Sequence, residues 1–447
     1  MIVDDQKLAF RRFLWLAVPI ALAGVTAGLI GRYLAIYATD ELLIAPATVG
    51  LVLAIKSIFD GVTDPLVGWL SDRKRAPRRL PFYWAGIPFA IAAFGLFFPP
   101  AGLDGVALAI WMIIFVVLWE AGQTMRSVST VALSFEVTND ARQRTFLQMV
   151  FTLPGFIGSV AGIVAMQYIM NSADARSALW PILAAGTAFW LASMVIVGSR
   201  LKEVPRPHRT EERPPWHMIR EVIANRYHRQ YIAVQLCGTL AFTSLGFAIP
   251  YVTKYVFGRP DMTMYVFLIY LSMNTLSVFL WWRLVPRLGV RRVWLLGNAV
   301  WLVTLLAYPL SVASGIGGFL ILAACAGLGN GAAYCVSYAM LGDIADYDAR
   351  TSGRQRQGVY ATIYGLVDKI GAAAGAFVLG WGLQLSGFVP NVQQAPAVLN
   401  AIALIVSVIP ALGIAVSMWI LYRYRFYEEQ GVSDGRSETG RLVARSA

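Results

Sequence analysis

The stretch Lys56-Ser-Ile-Phe-Asp60-Gly-Val-Thr63-Asp64-Pro65-Leu-Val-Gly68-Trp-Leu-Ser-Asp72-Arg73 decides how the chain is to be read. It closes an apolar run that begins near residue 46 and, at about 1.5 Å per helical residue, is long enough to cross a bilayer. Lys56, Asp60 and Asp64 stand four apart, so they form one stripe on that helix, each about 6 Å below the last. Charged groups inside a membrane span are costly and read as functional by default. The spacing lets both carboxylates approach one small cation, with Thr63 adding a neutral oxygen. A purely structural alternative stays open, in which Lys56 and Asp60 are a buried ion pair that fixes helix packing; it leaves Asp64 unexplained.

Outward from this stretch the same apolar pattern recurs. The 447 residues are 57% hydrophobic and only 14% charged, a balance that requires lipid as solvent. Twelve spans are predicted, at 13–39, 46–70, 82–99, 107–131, 147–170, 179–198, 230–257, 264–283, 293–313, 317–341, 358–384 and 397–421. The runs are long and continuous rather than short and alternating, so the fold class is an all-α membrane protein and not a barrel. Residues 1–12 are polar and no A-x-A site follows the first run, which is therefore expected to stay as a signal anchor.

The formal net charge of +12 is not a nucleic-acid footprint, because of where it sits. Lys7, Arg11 and Arg12, the loop with Arg73, Lys74, Arg75, Arg78 and Arg79, the loop with Arg283, Arg287, Arg291 and Arg292, and Arg423 and Arg425 all fall on one predicted side. The other side carries chiefly Arg176 and Arg259. This positive-inside bias predicts a multi-pass protein of the inner (cytoplasmic) membrane with both termini cytoplasmic. Cys237, Cys325 and Cys335 fall in predicted spans and imply no disulfide framework. His208, His217 and His228 fall in the predicted central loop, so proton or cation chemistry within the membrane is assigned to carboxylates.

A proline-rich polar stretch divides the chain into an N-terminal six-helix bundle (1–199), a central cytoplasmic loop (200–229), a C-terminal six-helix bundle (230–422) and a cytoplasmic tail (423–447). The halves rhyme. Glu136 to Arg144 after the fourth span is echoed by Asp343 to Asp348 with Arg350, Arg354 and Arg356 after the tenth. Paired six-helix repeats are a common transporter plan. The chain lacks a G-x-x-x-x-G-K-[ST] loop, a metal-spaced His/Cys cluster and a nucleophile constellation, so neither enzymatic activity nor ATP-driven transport is expected.

The pattern Asp60-x-x-x-Asp64-Pro65-x-x-Gly68 with Asp72-Arg73 resembles the glycoside-pentoside-hexuronide:cation symporters of the major facilitator superfamily. Ala132-Leu133 through Glu136 with Arg144-Thr145, Leu341-Gly342-Asp343 through Asp346-Tyr347, and Asp368-Lys369-Ile-Gly371 extend the resemblance over nearly the whole chain. It implies two six-helix bundles that work by alternating access. It also implies a cation site at Asp60, Thr63, Asp64 and Thr124, filled by sodium or a proton, and a cytoplasmic gate at Asp72, Arg73, Glu136, Arg144, Asp343 and Asp346. Lys369 would be a counter-ion to the empty cation site or a substrate ligand. Thr63 replaces an asparagine of the melibiose carrier, which leaves an oxygen donor but unsettles sodium selectivity. Gly24 and Ser127 replace that carrier's two sugar-anchoring aspartates and Gln123 a pocket tyrosine, so its galactoside site does not carry over.

Other charges lie nearby. Arg32 and Arg126 suit a carboxylate, sulfonate or phosphate through their bidentate forks, which raises the expectation of an anionic substrate such as a hexuronide. Alternatively, Arg32 snorkels to the interface and Arg126 pairs with an acidic residue. Glu120 would neutralise either arginine or serve as a proton site, and Lys56 would compensate the aspartates. Trp381 is read as either a sugar-stacking ring or helix packing. The expected partners are a small-molecule substrate, a coupling cation and the bilayer, with no nucleic acid, no cofactor beyond the coupling ion, and a monomeric state. The substrate class is a sugar, glycoside or related small solute. A lipid or lysolipid transporter of the same fold and a non-transporting membrane sensor are the alternatives.

Overall fold

A computed structural model describes Trp15 and residues 17–72, 79–137, 141–201, 216–354 and 356–429. Among these residues every regular element is a helix. The chain divides into two compact units, Met1–Glu212 and Arg213–Ala447.

In the first unit, α1 (Ala17–Gly28) passes through a π-helical turn (Leu29–Tyr33) into α2 (Leu34–Asp40), and α3 (Pro46–Asp72) follows. The third span is broken into α4 (Leu80–Gly86), a 3-10 turn (Pro88–Ile91) and α5 (Ala92–Phe97), and α6 (Gly105–Val137), α7 (Ala141–Met170) and α8 (Ala175–Gly198) complete the unit. In the second, a short α9 (Trp216–Ala224) precedes α10 (Arg226–Tyr251), which again ends in a π-helical turn (Val252–Val256). Then come α11 (Thr263–Leu288), α12 (Val290–Leu306), α13 (Tyr308–Ser314), α14 (Ile316–Ser352), α15 (Gln357–Leu385), α16 (Pro396–Val406), α17 (Val408–Arg423) and α18 (Phe426–Glu429). Among the described residues, eleven spans are long and apolar enough to cross a membrane, and α12 with α13, bent by 47°, brings the number to twelve when the pair is counted as one span. The bend falls where Pro309 opens α13, since proline lacks the N–H that would continue the helical ladder.

Close packing is set by glycine, and in the same pattern within each unit. A Cβ on Gly24 would lie 2.7 Å from the Cα of Gly158, and one on Gly28 would lie 3.1 Å from that of Gly162. The pairs Gly24/Gly28 and Gly158/Gly162 are small-x-x-x-small seams that let α1 and α7, the first and fifth spans, cross backbone to backbone. In the second unit Gly371 and Gly375 of α15 press on Leu236, Thr239, Leu240 and Thr243 of α10, again a first span on a fifth. Gly327 and Gly331 do the same between α14 and α11. The repeat expected from the loops is thus present in the packing.

Two expectations need correction. Asp343 to Asp348, read as a loop, continue α14, which ends only where Gly353 takes a left-handed conformation at φ 69° and caps it. His228, assigned to the central loop and so outside the membrane, lies in the first turn of α10 within a candidate span. Asn225 starts that helix early by accepting the Tyr227 and His228 amides, and the His228 ring is fully buried, 4.7 Å from the Tyr360 ring. Outside the spans, Asp174 caps α8, and the Ser177 hydroxyl holds its carboxyl below the ordinary range.

Candidate functional site

α3 and α6 run side by side, and their polar residues meet rung by rung. Lys56 Nζ lies 2.7 Å from Glu120 Oε1, with the Glu120 side chain almost fully buried. One turn on, Thr124 Oγ1 lies 3.3 Å from Asp60 Oδ1, and Thr63 Oγ1 lies 3.2 Å from Thr124 Oγ1. Asp60 is 9% exposed and Thr124 1%. Asp64 stands a further turn along α3, half-buried. The four-residue spacing on both helices produces this ladder, because residues four apart share a face. Three of the four expected cation ligands are therefore joined by hydrogen bonds, and the fourth is one turn away.

The ladder also sorts the charges that sequence left open. Lys56 pairs with Glu120 rather than being spent on Asp60, and Glu120 neutralises neither arginine. Removing one member of a buried pair strands the other charge, so Glu120→Gln should destabilise the purified protein by about 3 kcal/mol. The Lys56→Gln, Glu120→Gln double variant should recover most of that loss in thermal melts. Losses that simply add would show that the pair is not a unit.

Arg126 is only two residues from Thr124, about 200° around α6, and so faces away from the ladder. It donates to Gln123 and its guanidinium stacks 5.2 Å from the centre of the Trp190 ring on α8. It is buried and makes no salt bridge among the described residues. Ser127 donates to the Thr124 carbonyl at 3.4 Å. Gly24 lies in the α1–α7 seam, where even a methyl group would meet the Gly158 backbone. Arg32 is half-buried in the first π-helical turn, and Lys369 is half-buried on α15. Trp381 is 43% exposed, with the Phe377 ring 5.7 Å away.

Of the expected gate, Asp72, Glu136 and Arg144 lie on α3, α6 and α7, with side chains outside the description, and Arg73 lies outside the described residues. Asp343 accepts the Tyr427 hydroxyl at 2.9 Å and Asp346 accepts from Gln357 at 2.8 Å, which ties the end of α14 to α18 and α15. Sequence reading missed the site around Asp368. This residue accepts from Thr239 at 2.6 Å and from Gln235 at 3.3 Å, two residues one turn apart on α10 that the sequence analysis did not single out.

Residues 16–428 match the family described as MFS/sugar transport protein. The chain belongs to that family. A putative glycoside/cation symporter, YagG of Escherichia coli (strain K12), is 26% identical, covering 88% of this chain and 86% of its own length. The sodium-dependent lysophosphatidylcholine symporter 1-A of Danio rerio is 23% identical, covering 96% and 88%. Among solved structures, an inward-facing bacterial homologue of the human lysosomal transporter Spinster superposes with a TM-score of 0.70 at 13% identity, covering 93% of this chain and 97% of that one. The fold is that of the major facilitator superfamily. This family member is a multi-pass secondary transporter, and the glycoside:cation symporter resemblance read from the Asp60 to Arg73 motif holds.

Proposed function

We propose that this transporter couples the entry of a cation, sodium or a proton, to the movement of a small hydroxylated solute of the glycoside class by alternating access. The observation that carries this reading is the hydrogen-bonded cluster of Asp60, Thr63 and Thr124 on α3 and α6, with Asp64 one turn on. Two carboxylates and two hydroxyls give one small ion four oxygen-bearing side chains, and binding it relieves repulsion between the carboxylates. Sodium fits this all-oxygen donor set. The distribution of Arg and Lys supports cytoplasmic termini in an inner membrane.

Uptake into right-side-out vesicles tests the reading. Under an imposed inward sodium or proton gradient, a panel of radiolabelled sugars and glycosides should include one that concentrates, and the concentration should collapse with the gradient. Equal uptake with and without both gradients would defeat coupling. Lysolipid transport is the second reading, supported by the Danio rerio relative, and a labelled lysophosphatidylcholine in the same vesicles decides between them.

A further inference from the structure

Asp368 is an intramembrane carboxylate with surroundings of its own. Its Oδ1 accepts from Thr239 Oγ1 at 2.6 Å and Gln235 Nε2 at 3.3 Å. The same Gln235 nitrogen lies 3.3 Å from the Tyr364 hydroxyl and 3.2 Å from Thr239 Oγ1. Tyr364 stands one turn before Asp368 on α15, and its ring centre is 5.0 Å from that of Tyr338 on α14, a residue 64% exposed. Asp368 has no ion-pair partner among the described residues, and Lys369, the next residue, points about 100° away around the helix.

A carboxylate in a membrane span is retained only for a reason. The two donors here are neutral, so they hold the charge in place without cancelling it, and both act on one oxygen. Oδ2 accepts nothing among the described residues. The site therefore presents an oriented acceptor, an amide and a phenol beside an accessible aromatic ring. That set matches a ligand with several O–H donors and an apolar C–H face, where the hydroxyls meet the carboxylate and the face meets the ring. An anionic ligand would meet like charge at Asp368. A bare ammonium would leave Gln235 and Tyr364 unused. Among the described residues of the first unit, Glu120 is neutralised by Lys56, Gly24 is packed against α7, and Asp60 and Asp64 belong to the proposed cation site.

The geometry points to Asp368, positioned by Thr239 and Gln235, as the hydroxyl anchor of a substrate site in the second unit, selective for neutral glycosides over uronic acids. This deepens the symporter reading and rests on it.

The test uses the purified full-length transporter and thermal shift with neutral mono- and disaccharides and the matching uronic acids, each with sodium or potassium chloride. At least one neutral sugar should stabilise the wild type, and its uronic acid should not. Asp368→Ala, Asp368→Asn and Thr239→Val should each weaken that sugar about 10- to 100-fold, as expected for hydrogen bonds to a charged group. Stabilisation by sodium should persist in all three, which also shows that they fold. Binding of the sugar at wild-type strength by both Asp368 variants, a preference for the uronic acid, or no sugar bound by the wild type would overturn the assignment. If sodium fails to stabilise even the wild type while the sugar results hold, sodium is not the coupling ion and the Asp368 site stands.

Discussion

Replacing both Asp60 and Asp64 by asparagine will abolish gradient-driven accumulation, bringing the internal to external substrate ratio to about one while leaving some exchange. Coupling is a difference in affinity between two states, so it requires a site whose charge changes when the ion binds. Asparagine keeps the size of each side chain and an oxygen that can still accept from the Thr124 hydroxyl, now 3.3 Å from Asp60 Oδ1. The fold should survive, because the neighbouring Lys56–Glu120 pair is complete without Asp60. What is lost is the pair of negative charges that draws a cation into a low-dielectric position. Counterflow and net uptake, measured side by side in vesicles, separate the two functions. Net accumulation equal to that of the wild type would end the assignment of the cation site to α3.

Gly158→Leu will cost the protein its folded first unit. A Cβ at this position would sit 2.0 Å from the Ala21 carbonyl oxygen and 2.9 Å from the Gly24 Cα, both on the backbone of α1. No rotamer relieves a clash with backbone, so the helices must separate and lose the seam that Gly24, Gly28 and Gly162 share. Overpacking of this kind costs about 3 kcal/mol or more. Gly186→Leu on α8 is the control, because a Cβ there meets nothing within 4 Å. Fluorescence-detected size exclusion and thermal melts of the two variants should differ sharply. Equal melting temperatures would show that α1 and α7 do not pack this closely. The same geometry explains why an aspartate cannot be restored at Gly24 as a sugar ligand: its Cβ would lie 2.7 Å from the Gly158 Cα.

Much of the architecture was legible before any coordinates. Twenty-residue apolar runs can only be helices in lipid, since every backbone N–H and C=O must be satisfied within the segment, and this fixed the span count near twelve. The ends were less legible. Asn225 and Gly353 set the limits of α10 and α14 through a side-chain cap and a left-handed residue, and so carried His228 and Asp343 into helices where polarity suggested loop. The family, too, was written in local spacing, because Asp60, Asp64, Pro65 and Gly68 belong to one helix.

The sequence by itself therefore determined the membrane class, the twofold repeat and the stripe of charge on α3, all of which depend on helical period and lipid solvation alone. Only tertiary structure decided which charge meets which. Lys56 could have faced Asp60 within its own helix, yet the register of α3 on α6 gives it to Glu120. Arg126 stands two residues from Thr124, yet helical phase turns it onto Trp190. Asp368 adjoins the lysine that drew attention, yet α10, more than a hundred residues earlier in the chain, supplies the Thr239 and Gln235 donors that hold its carboxylate. Pairing between helices depends on their crossing and register, which glycine seams such as Gly371 and Gly375 of α15 against α10 set, and no local pattern encodes it.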